Sequence, residues 1–316
     1  MFYDSKKIQI CRAVAIMAVV GIHTCGYGSI ALLVRPILNF SVAVFLFLSG
    51  LLTKEEICDV KKFYKKRLMR VIVPYLIWSI VYTIAYQSYE SFIYKLLTGQ
   101  CCSIYYYILV YVQLTLLAPL LNRLIQSKFW KLGFVVSPIA IINQSILALG
   151  GYALAFPWNA NLFFVWIIYF YFGMCIRSNR IEIKAVKTKS VIIVFMIQYI
   201  EVAFWAFIMN NGSMATTQIK ISAMLTSLVV ICIGYNWITN NKKLNEGFFG
   251  KMLINIGDIS FGIYLTHVLL MRHIEPLLSK IFFPFNTLTI VALEIIIINL
   301  VRKIVGKKGS KWLGLV

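Results

Sequence analysis

The chain alternates between long apolar runs and short polar segments that carry most of its charge. Most apolar runs reach about 20 residues, the length that an α-helix needs to cross the ~30 Å hydrocarbon core of a bilayer. The pattern predicts about ten transmembrane helices, at residues 8–30, 36–53, 70–89, 103–122, 131–150, 161–177, 189–209, 219–238, 254–271 and 285–303. The second and sixth spans are short, which is typical of a helix that is tilted, broken or partly re-entrant.

Composition supports lipid as the solvent for these runs. Of the 316 residues, 60% are hydrophobic and 13% are charged, whereas roughly a quarter of the residues in a soluble domain are charged. The apolar runs leave no stretch long enough for a soluble domain of ordinary size. We therefore predict a single integral-membrane domain over residues 1–316, built as an all-α polytopic helix bundle.

The positive charges are distributed unevenly between the polar segments. With the N-terminus inside the cell, the cytoplasmic segments hold 26 of the 31 lysines and arginines, and the outside segments hold the other 5. This asymmetry is the positive-inside pattern of membrane proteins. It favours an even number of helices, so that both termini are cytoplasmic. It also assigns the net charge of +20 to anchoring at membrane lipid rather than to nucleic-acid binding.

The segment 54–70 is the most charged part of the chain. Its pattern predicts an amphipathic helix over about 54–69 on the inner leaflet, with Pro74 at the start of the third span or at a kink in it. Arg67 and Arg70 are three residues apart, so they share a helix face. Two guanidinium groups at the inner mouth can bind phosphate with paired hydrogen bonds. The alternative is simple anchoring at the membrane.

Few ionisable residues fall inside the predicted spans, and each is a candidate site residue because charge in lipid is unfavourable. They are Arg12, His23, Glu201, His267 and Glu294. The first two are eleven positions apart, which places them on one face of the first helix, about 16 Å apart along its axis. A cation at the cytoplasmic mouth and a deeper imidazole suit a long ligand with an anionic head and a reactive tail, such as a coenzyme A thioester. The alternative is that His23 bonds a neighbouring helix and Arg12 extends to the interface.

Two further segments carry polar or small residues at informative positions. Ser260, Tyr264 and His267 occupy positions i, i+4 and i+7 of the ninth span, so they share a face that can line a cavity. Polar packing between helices explains the first two of these equally well. Ser49 precedes Gly50, and a glycine there permits close approach of another helix.

The two intramembrane glutamates have no local partner in the sequence. Glu201 and Glu294 can each pair with an arginine or another polar group elsewhere, or carry a proton. The seven cysteines do not show metal-binding spacing, so we predict that the protein uses no metal.

Five motifs follow one another along the chain. They are Arg-x10-His at 12–23, FLFLSG at 45–50, KKRLMRVIVPYLIW at 65–78, YFYFGMCI at 169–176 and ISFGIYLTH at 259–267. Their order and spacing resemble the integral-membrane acyltransferase-3 family over nearly the whole chain. The Arg/His pair and the Arg-x-x-Arg sequence are the most discriminating marks of this resemblance.

The resemblance implies a ten-helix bacterial membrane protein that takes an acyl group, usually acetyl, from cytoplasmic acetyl-coenzyme A. The acceptor would be a hydroxyl of a glycan or of a lipid-linked sugar. The resemblance assigns the catalytic role to His23 and donor binding to Arg12, Arg67 and Arg70. Further residues that we predict to bind substrate or line the cavity are Ser49, Ser260, Tyr264, His267, Glu201 and Glu294. Some members carry an extracellular esterase-like domain, and this chain is expected to resemble members that work alone.

Two features leave parts of this reading open. The family often has Trp and His near the start of its fourth helix, where this chain has Ser-Ile-Tyr-Tyr-Tyr at 103–107, so the acceptor and the acyl group are not fixed. Related membrane modules fused to amino-acid racemases are linked to serine uptake. A small-molecule transporter that uses the same residues as a midplane binding site is therefore the main alternative to acyl transfer. A scaffold for a larger glycan-export assembly is a third possibility. Within acyl transfer, general-base and covalent roles for His23 both stay open.

Overall fold

The computed structural model describes residues 3–240, 243–244 and 247–315, and these form helices and turns with no β-strand among them. The α-helices are α1 Ser5–Thr24, α2 Ser29–Leu38, α3 Ser41–Leu51, α4 Val60–Ala85, α5 Phe92–Thr98, α6 Tyr106–Gln126, α7 Val136–Leu149, α8 Trp158–Asn161, α9 Ile167–Arg177, α10 Thr188–Ala203, α11 Gly212–Thr216, α12 Ile221–Thr239, α13 Phe248–Asp258, α14 Ser260–His273, α15 Glu275–Leu278 and α16 Phe285–Trp312. Shorter helical turns are Ser103–Tyr105, Trp130–Phe134, Phe163–Val165 and the π-helical Phe204–Ile208. The predicted all-α fold class is confirmed.

Seven stretches of the described chain are long and apolar enough to cross a membrane. They are Ser5–Thr24, Ser29–Leu51, Val60–Ala85, Ser103–Gln126, Trp130–Leu149, Thr188–Ile208 and Gly212–Thr239. The bent pair α13 and α14 makes an eighth if it counts as one span, and α9 is a shorter apolar helix. Together with α16 these elements fall on the ten predicted runs, so the structure agrees broadly with a multi-pass bundle of about ten helices. The side of the membrane on which the termini lie stays a prediction.

Two predicted spans differ in outline from the helices observed. The first ends early, at Thr24, because Gly26 and Gly28 adopt φ values of +71° and +73°, a left-handed conformation that glycine takes readily and that turns the chain. The prediction of one continuous helix over 254–271 for the ninth span is wrong. The span is broken at Ile259, and its two halves, α13 and α14, meet at a bend of 78°.

The charged segment and the third predicted span form one helix. Helix α4 begins after Asp59, whose Oδ1 accepts a hydrogen bond from the Lys62 backbone N–H at 2.8 Å, as in an N-cap. The helix continues through Pro74. The amphipathic helix predicted over 54–69 is therefore not a separate element, because residues 60–69 belong to α4. Its location at the inner leaflet stays a prediction.

The chain divides into two compact units. Unit 1 comprises Met1–Leu48 and Ile181–Asn299, and unit 2 comprises Ser49–Arg180 and Leu300–Val316. Lys242, which the charge pattern assigns to a cytoplasmic segment, lies outside the described residues. The organisation of the whole chain as one domain stays a prediction.

Helix α1 forms the centre of unit 1. Small or branched side chains such as Ala13, Ala15 and Ile16 are fully buried, and α1 contacts α2, α12, α13 and α14. Helix α13 comes close to α1 at Gly257, where a Cβ would lie within 1.9 Å of the Gln9 carbonyl oxygen. The lack of a side chain at this position is therefore what lets α13 lie against α1.

Unit 2 is built around α6 and α9. Every residue of α9 from Ile167 to Ile176 is buried, as expected for a helix that is apolar on all sides and packed inside a bundle. A Cβ at Gly50 would come within 2.0 Å of the Phe170 carbonyl oxygen. The predicted close approach of another helix at Gly50 is therefore confirmed.

Candidate active site

The first helix carries two of the predicted site residues. Asp4 caps the start of α1, because its Oδ1 accepts a hydrogen bond from the Lys6 backbone N–H at 3.0 Å. Arg12 is half-buried, and its Nη1 donates a hydrogen bond to Gln9 Oε1 at 3.4 Å. His23 is exposed and lies in the last turn of α1, so it stands at a helix end rather than along the middle of a longer helix.

Polar contacts hold this end of α1 against the start of α16. The hydroxyl oxygens of Thr24 and Thr287 are 2.6 Å apart, and both residues are buried. The Asn286 side-chain amide donates a hydrogen bond to the Thr24 carbonyl oxygen at 2.8 Å. These contacts fix the turn that bears His23. Sequence reasoning missed them, although an adjacent Asn and Thr at the start of the last apolar run were a visible signal.

A second histidine lies beside His23 in unit 1. The ring centroids of His23 and His267 are 5.3 Å apart, and the rings are inclined by 53°. His267 is fully buried, and its Nδ1 lies 2.9 Å from the Ile263 carbonyl oxygen and 3.0 Å from that of Tyr264. Sequence reasoning named both histidines as candidates but could not pair them, because they belong to helices far apart in the chain.

The polar face predicted for the ninth span is buried. Ser260, Tyr264 and His267 of α14 are 5%, 6% and 0% exposed, in agreement with their helical spacing. The ring centroids of Tyr264 and His267 are 6.5 Å apart. Their role in lining a substrate cavity stays a prediction.

Glu294 has a partner that the sequence did not reveal. The residue is 1% exposed, and its Oε2 accepts a hydrogen bond from the Thr266 hydroxyl at 2.7 Å. Thr266 directly precedes His267 in α14. The contact therefore ties α16 to the helix that carries the buried histidine.

Glu201 contacts a different part of unit 1. Its Oε2 accepts a hydrogen bond from the Ser222 backbone N–H in the first turn of α12, at 3.0 Å. Lys220, just before that helix, is fully buried, and its ammonium donates to the Ala215 carbonyl oxygen. Glu201 also interacts electrostatically with Lys220. A carboxylate and a buried cation thus meet at the start of α12, where the sequence had indicated only an outside lysine.

Arg35 places positive charge near the histidine pair. Its Nη2 donates a hydrogen bond to the Gly26 carbonyl oxygen at 3.4 Å, and its guanidinium lies 5.8 Å from the centre of the Tyr27 ring. Arg35 lies close enough to His23 for their charges to interact. Sequence reasoning counted this arginine only as a charge outside the membrane.

The two arginines of α4 have different surroundings. Arg67 is half-buried and donates hydrogen bonds from Nη1 to the Ser49 carbonyl oxygen at 3.1 Å and from Nη2 to that of Leu52 at 2.7 Å. Its guanidinium also lies 5.3 Å from the centre of the Phe63 ring. Arg70 is exposed. The predicted pair of equivalent phosphate ligands is therefore asymmetric, because two nitrogens of Arg67 already bind the end of α3.

Other side chains of unit 2 hold the loop that follows α3. The Asn122 side-chain amide donates to the Lys54 carbonyl oxygen at 3.1 Å. Arg177 Nε lies 3.5 Å from Glu55 Oε1, which forms an ion pair. With the Arg67 bonds to α3, these contacts from α6 and α9 fix the segment between α3 and α4. Ser49, a predicted substrate ligand, lies at this anchored end.

The part of the chain that the structure describes contains the residue types that bind metal ions in proteins. Within those residues, no group of three or more His, Cys, Asp or Glu side chains is arranged to hold a metal ion.

Comparison with known proteins identifies the family. A model of the acyltransferase-3 family, described as an acyltransferase domain, matches residues 5–301. Neither a search of curated proteins nor a search of solved structures gave a match. The matched region covers nearly the whole chain and includes both the histidine pair of unit 1 and the arginine pair of unit 2. The chain therefore belongs to the acyltransferase-3 family of membrane acyltransferases.

Proposed function

We propose that the protein transfers an acyl group, in the first instance acetyl, from cytoplasmic acetyl-coenzyme A to a hydroxyl of a cell-surface glycan or lipid-linked sugar. The observation that carries the proposal is the exposed His23 ring beside the buried His267 ring, 5.3 Å away between centroids. An accessible imidazole is suited to transfer of a proton or an acyl group. Family membership supplies the reaction class.

The first helix can bind both ends of such a donor. Arg12 precedes His23 by eleven residues, which is about 16 Å along a helix axis. A coenzyme A thioester has an anionic head that suits Arg12 and a long arm that carries its reactive carbonyl toward His23. Donor binding through this helix therefore follows from the length and charge of the ligand.

The arginines of unit 2 are proposed as phosphate ligands. Arg70 is exposed, and its guanidinium offers a rigid set of donors that matches phosphate oxygens. Arg67 has two nitrogens bound to carbonyl oxygens, so we assign it a smaller direct part. Its main contribution is to hold the end of α3.

The chemical step exchanges one ester bond for another. The acceptor oxygen attacks the thioester carbonyl carbon, the carbon–sulfur bond breaks, and the hydroxyl proton ends on the sulfur of coenzyme A. His23 either takes that proton from the hydroxyl and passes it on, or carries the acyl group between donor and acceptor. Both routes place the reacting carbonyl next to the exposed ring of His23.

The acceptor and the setting follow the same reasoning. We propose that Ser260, Tyr264, Glu201 and Glu294 of unit 1 help to bind the acceptor. Ser49 of unit 2 is proposed separately as a substrate ligand. The protein would act as a multi-pass protein in a bacterial cell membrane, surrounded by lipid, without a metal.

Transfer by the purified protein tests the proposal. Protein in lipid nanodiscs is given radiolabelled acetyl-coenzyme A, with octyl β-D-glucopyranoside as a lipid-like sugar acceptor. We expect free coenzyme A and a labelled acetyl ester to form, both dependent on His23. Absence of coenzyme A release above that of empty nanodiscs would contradict the proposal. Serine counterflow in proteoliposomes without thioester cleavage would instead favour the transport alternative.

A further inference from the structure

The hydrogen bonds of His267 fix which of its ring nitrogens carries a proton. Its Nδ1 lies 2.9 Å from the Ile263 carbonyl oxygen and 3.0 Å from that of Tyr264. Both neighbours only accept hydrogen bonds, so Nδ1 must be the protonated nitrogen. In the neutral ring, Nε2 then presents a lone pair and can only accept.

This lone pair is left without a donor. His267 is 0% exposed, and its Nε2 has no hydrogen-bond partner among the residues that the structure describes. A buried polar atom without a partner is rare in folded proteins and calls for a physical explanation.

The neighbouring ring is that of His23. Two imidazole rings joined by an N–H···N hydrogen bond of about 3 Å have their centres about 5 Å apart, and the observed separation is 5.3 Å. The separation of the two rings therefore matches the distance that such a bond requires. The turn that bears His23 cannot itself move away, because Thr24 is bound to Thr287 and Asn286.

We propose that His267 is a positioning residue for His23. Its buried Nε2 accepts the N–H of His23, which directs the other nitrogen of His23, with its lone pair, to the exposed side. The inference rests on the proposed function, since it explains how His23 is made ready to accept a proton or an acyl group. A base whose orientation and tautomer are set by a second buried group is a general device of such sites.

The proposal also explains how the charged state is tolerated. When His23 takes a proton, both of its nitrogens carry hydrogen, and one of them still points at a lone pair in the protein interior. The bond to His267 therefore strengthens as positive charge develops, as hydrogen bonds to charged groups do. His267 itself neither gains nor loses a proton.

Two substitutions separate this role from a structural one. His267→Asn keeps a donor for the Ile263 and Tyr264 carbonyl oxygens but removes the distal acceptor. His267→Gln does the opposite, because its longer side chain can place an oxygen near the former Nε2. We expect His267→Asn to lower kcat for acetyl transfer by about 10–100-fold with little change in KM. The fold decrease in kcat for His267→Gln should be less than about one third of the fold decrease for His267→Asn. The reverse order, or an effect on KM alone, would overturn the proposal.

Nuclear magnetic resonance of nitrogen-15 histidine gives a readout that does not depend on turnover. The chain has 3 histidines, and His273, exposed at the end of α14, serves as the internal control. In lipid nanodiscs we expect His267 to be protonated at Nδ1 alone and to show coupling through a hydrogen bond to a His23 nitrogen. In His267→Asn, the signal of His23 should change to a mixture of tautomers while His273 is unaffected.

The two experiments distinguish the possible failures. A His23 tautomer ratio that does not respond to His267→Asn, with no coupling in the wild type, would overturn the positioning role even if acetyl transfer is observed. Coupling between the histidines in a protein that cleaves no thioester would support the contact and contradict the proposed function instead.

Discussion

The histidine pair of unit 1 and the arginine pair of unit 2 are built in opposite ways. His23 and His267 belong to helices at opposite ends of the chain, yet their rings lie side by side. Arg67 and Arg70 lie one turn apart on one helix, yet one is bound to backbone carbonyl oxygens and the other is exposed. Closeness in sequence therefore gives the arginines a common face without a common role.

The contrast also concerns what each site can do. The histidine pair combines an exposed residue with a fully buried one, which is the arrangement that the proposed positioning role requires. In the arginine pair, Arg67 binds two carbonyl oxygens, whereas Arg70 is exposed and has no bonded partner among the residues that the structure describes. Substitutions in each pair test this difference, beginning with the largest expected effect.

Loss of the exposed imidazole should have the largest effect. His23→Ala removes the group that handles the proton or the acyl group, so acetyl transfer should fall by about 10²–10⁴-fold. His273→Ala, which removes an exposed histidine from α14, is the matched control and should retain activity within about twofold of wild type. Rates are compared at equal amounts of folded protein. Turnover within tenfold of wild type for His23→Ala would exclude both the general-base and the covalent role of His23.

Replacement by lysine should have different effects at the two arginines. Arg70→Lys removes the donor fork from an exposed site, and coenzyme A binding should weaken by roughly 1–3 kcal/mol. Arg67→Lys should mainly lower the free energy of unfolding, by roughly 1–2 kcal/mol, because the hydrogen bonds to the Ser49 and Leu52 carbonyl oxygens cannot both be kept. Calorimetric titration and thermal unfolding measure the two effects.

A neighbouring lysine provides the control for this comparison. Lys66→Ala removes an exposed positive charge from the same turn of α4 without removing a guanidinium, so donor affinity should change by less than about threefold. If donor affinity is unchanged in both arginine variants, Arg67 and Arg70 do not bind the donor and serve only as membrane anchors.

Each unit contains a glycine whose replacement should loosen it. Gly257→Ala in unit 1 and Gly50→Ala in unit 2 force a methyl group to within 1.9 Å and 2.0 Å of a backbone oxygen, so each should lower the free energy of unfolding by roughly 1–3 kcal/mol. Gly212→Ala, where no atom lies within 4 Å of the added carbon, is the control. Equal melting temperatures for all three variants would contradict the close helix contacts.

Cysteine reactivity tests the predicted sidedness with the smallest disturbance. Cys58 is exposed in the loop before α4, which the charge pattern assigns to the cytoplasm. A membrane-impermeant maleimide should label it in inverted vesicles but not in intact cells. Labelling of Cys58 in intact cells at the rate of a cysteine introduced within 272–284 would contradict the predicted cytoplasmic location of this loop.

A buried thiol supplies the internal reference for that experiment. Burial raises the pKa of the Cys102 thiol to about 11, and the thiolate is the reactive form. The reaction of Cys102 should therefore be slow at pH 7 and accelerate as the pH rises toward 11. Fast labelling of Cys102 at neutral pH would contradict its burial.

The sequence predicted those features that depend on local pattern. The apolar runs predicted the positions of the helices, and Gly50 indicated a close helix contact that the structure contains. The early end of α1 was also readable in principle, because Gly26 and Gly28 stand within four residues of Thr24. The break at Ile259 was not, since an apolar sequence continues across it.

The site could be predicted only as separate residues. Residue type and spacing indicated His23 and His267, but the contact between their rings depends on how α1 and α14 pack, which no local pattern encodes. The same holds for Glu294, whose partner Thr266 lies on another helix. Arg67 was predicted as a phosphate ligand because its guanidinium suits phosphate, and nothing local indicated that carbonyl oxygens already bind it.

Transfer of label across vesicles of known orientation tests the central claim most directly. Membrane vesicles that contain the protein are given radiolabelled acetyl-coenzyme A on the cytoplasmic face, and the glycan and glycolipid fractions are then analysed for labelled acetyl esters. We predict that label reaches these fractions with wild-type protein, and that His23→Ala reduces it to the level of vesicles without the protein. Equal labelling by wild type and His23→Ala, or none by wild type, would contradict the account.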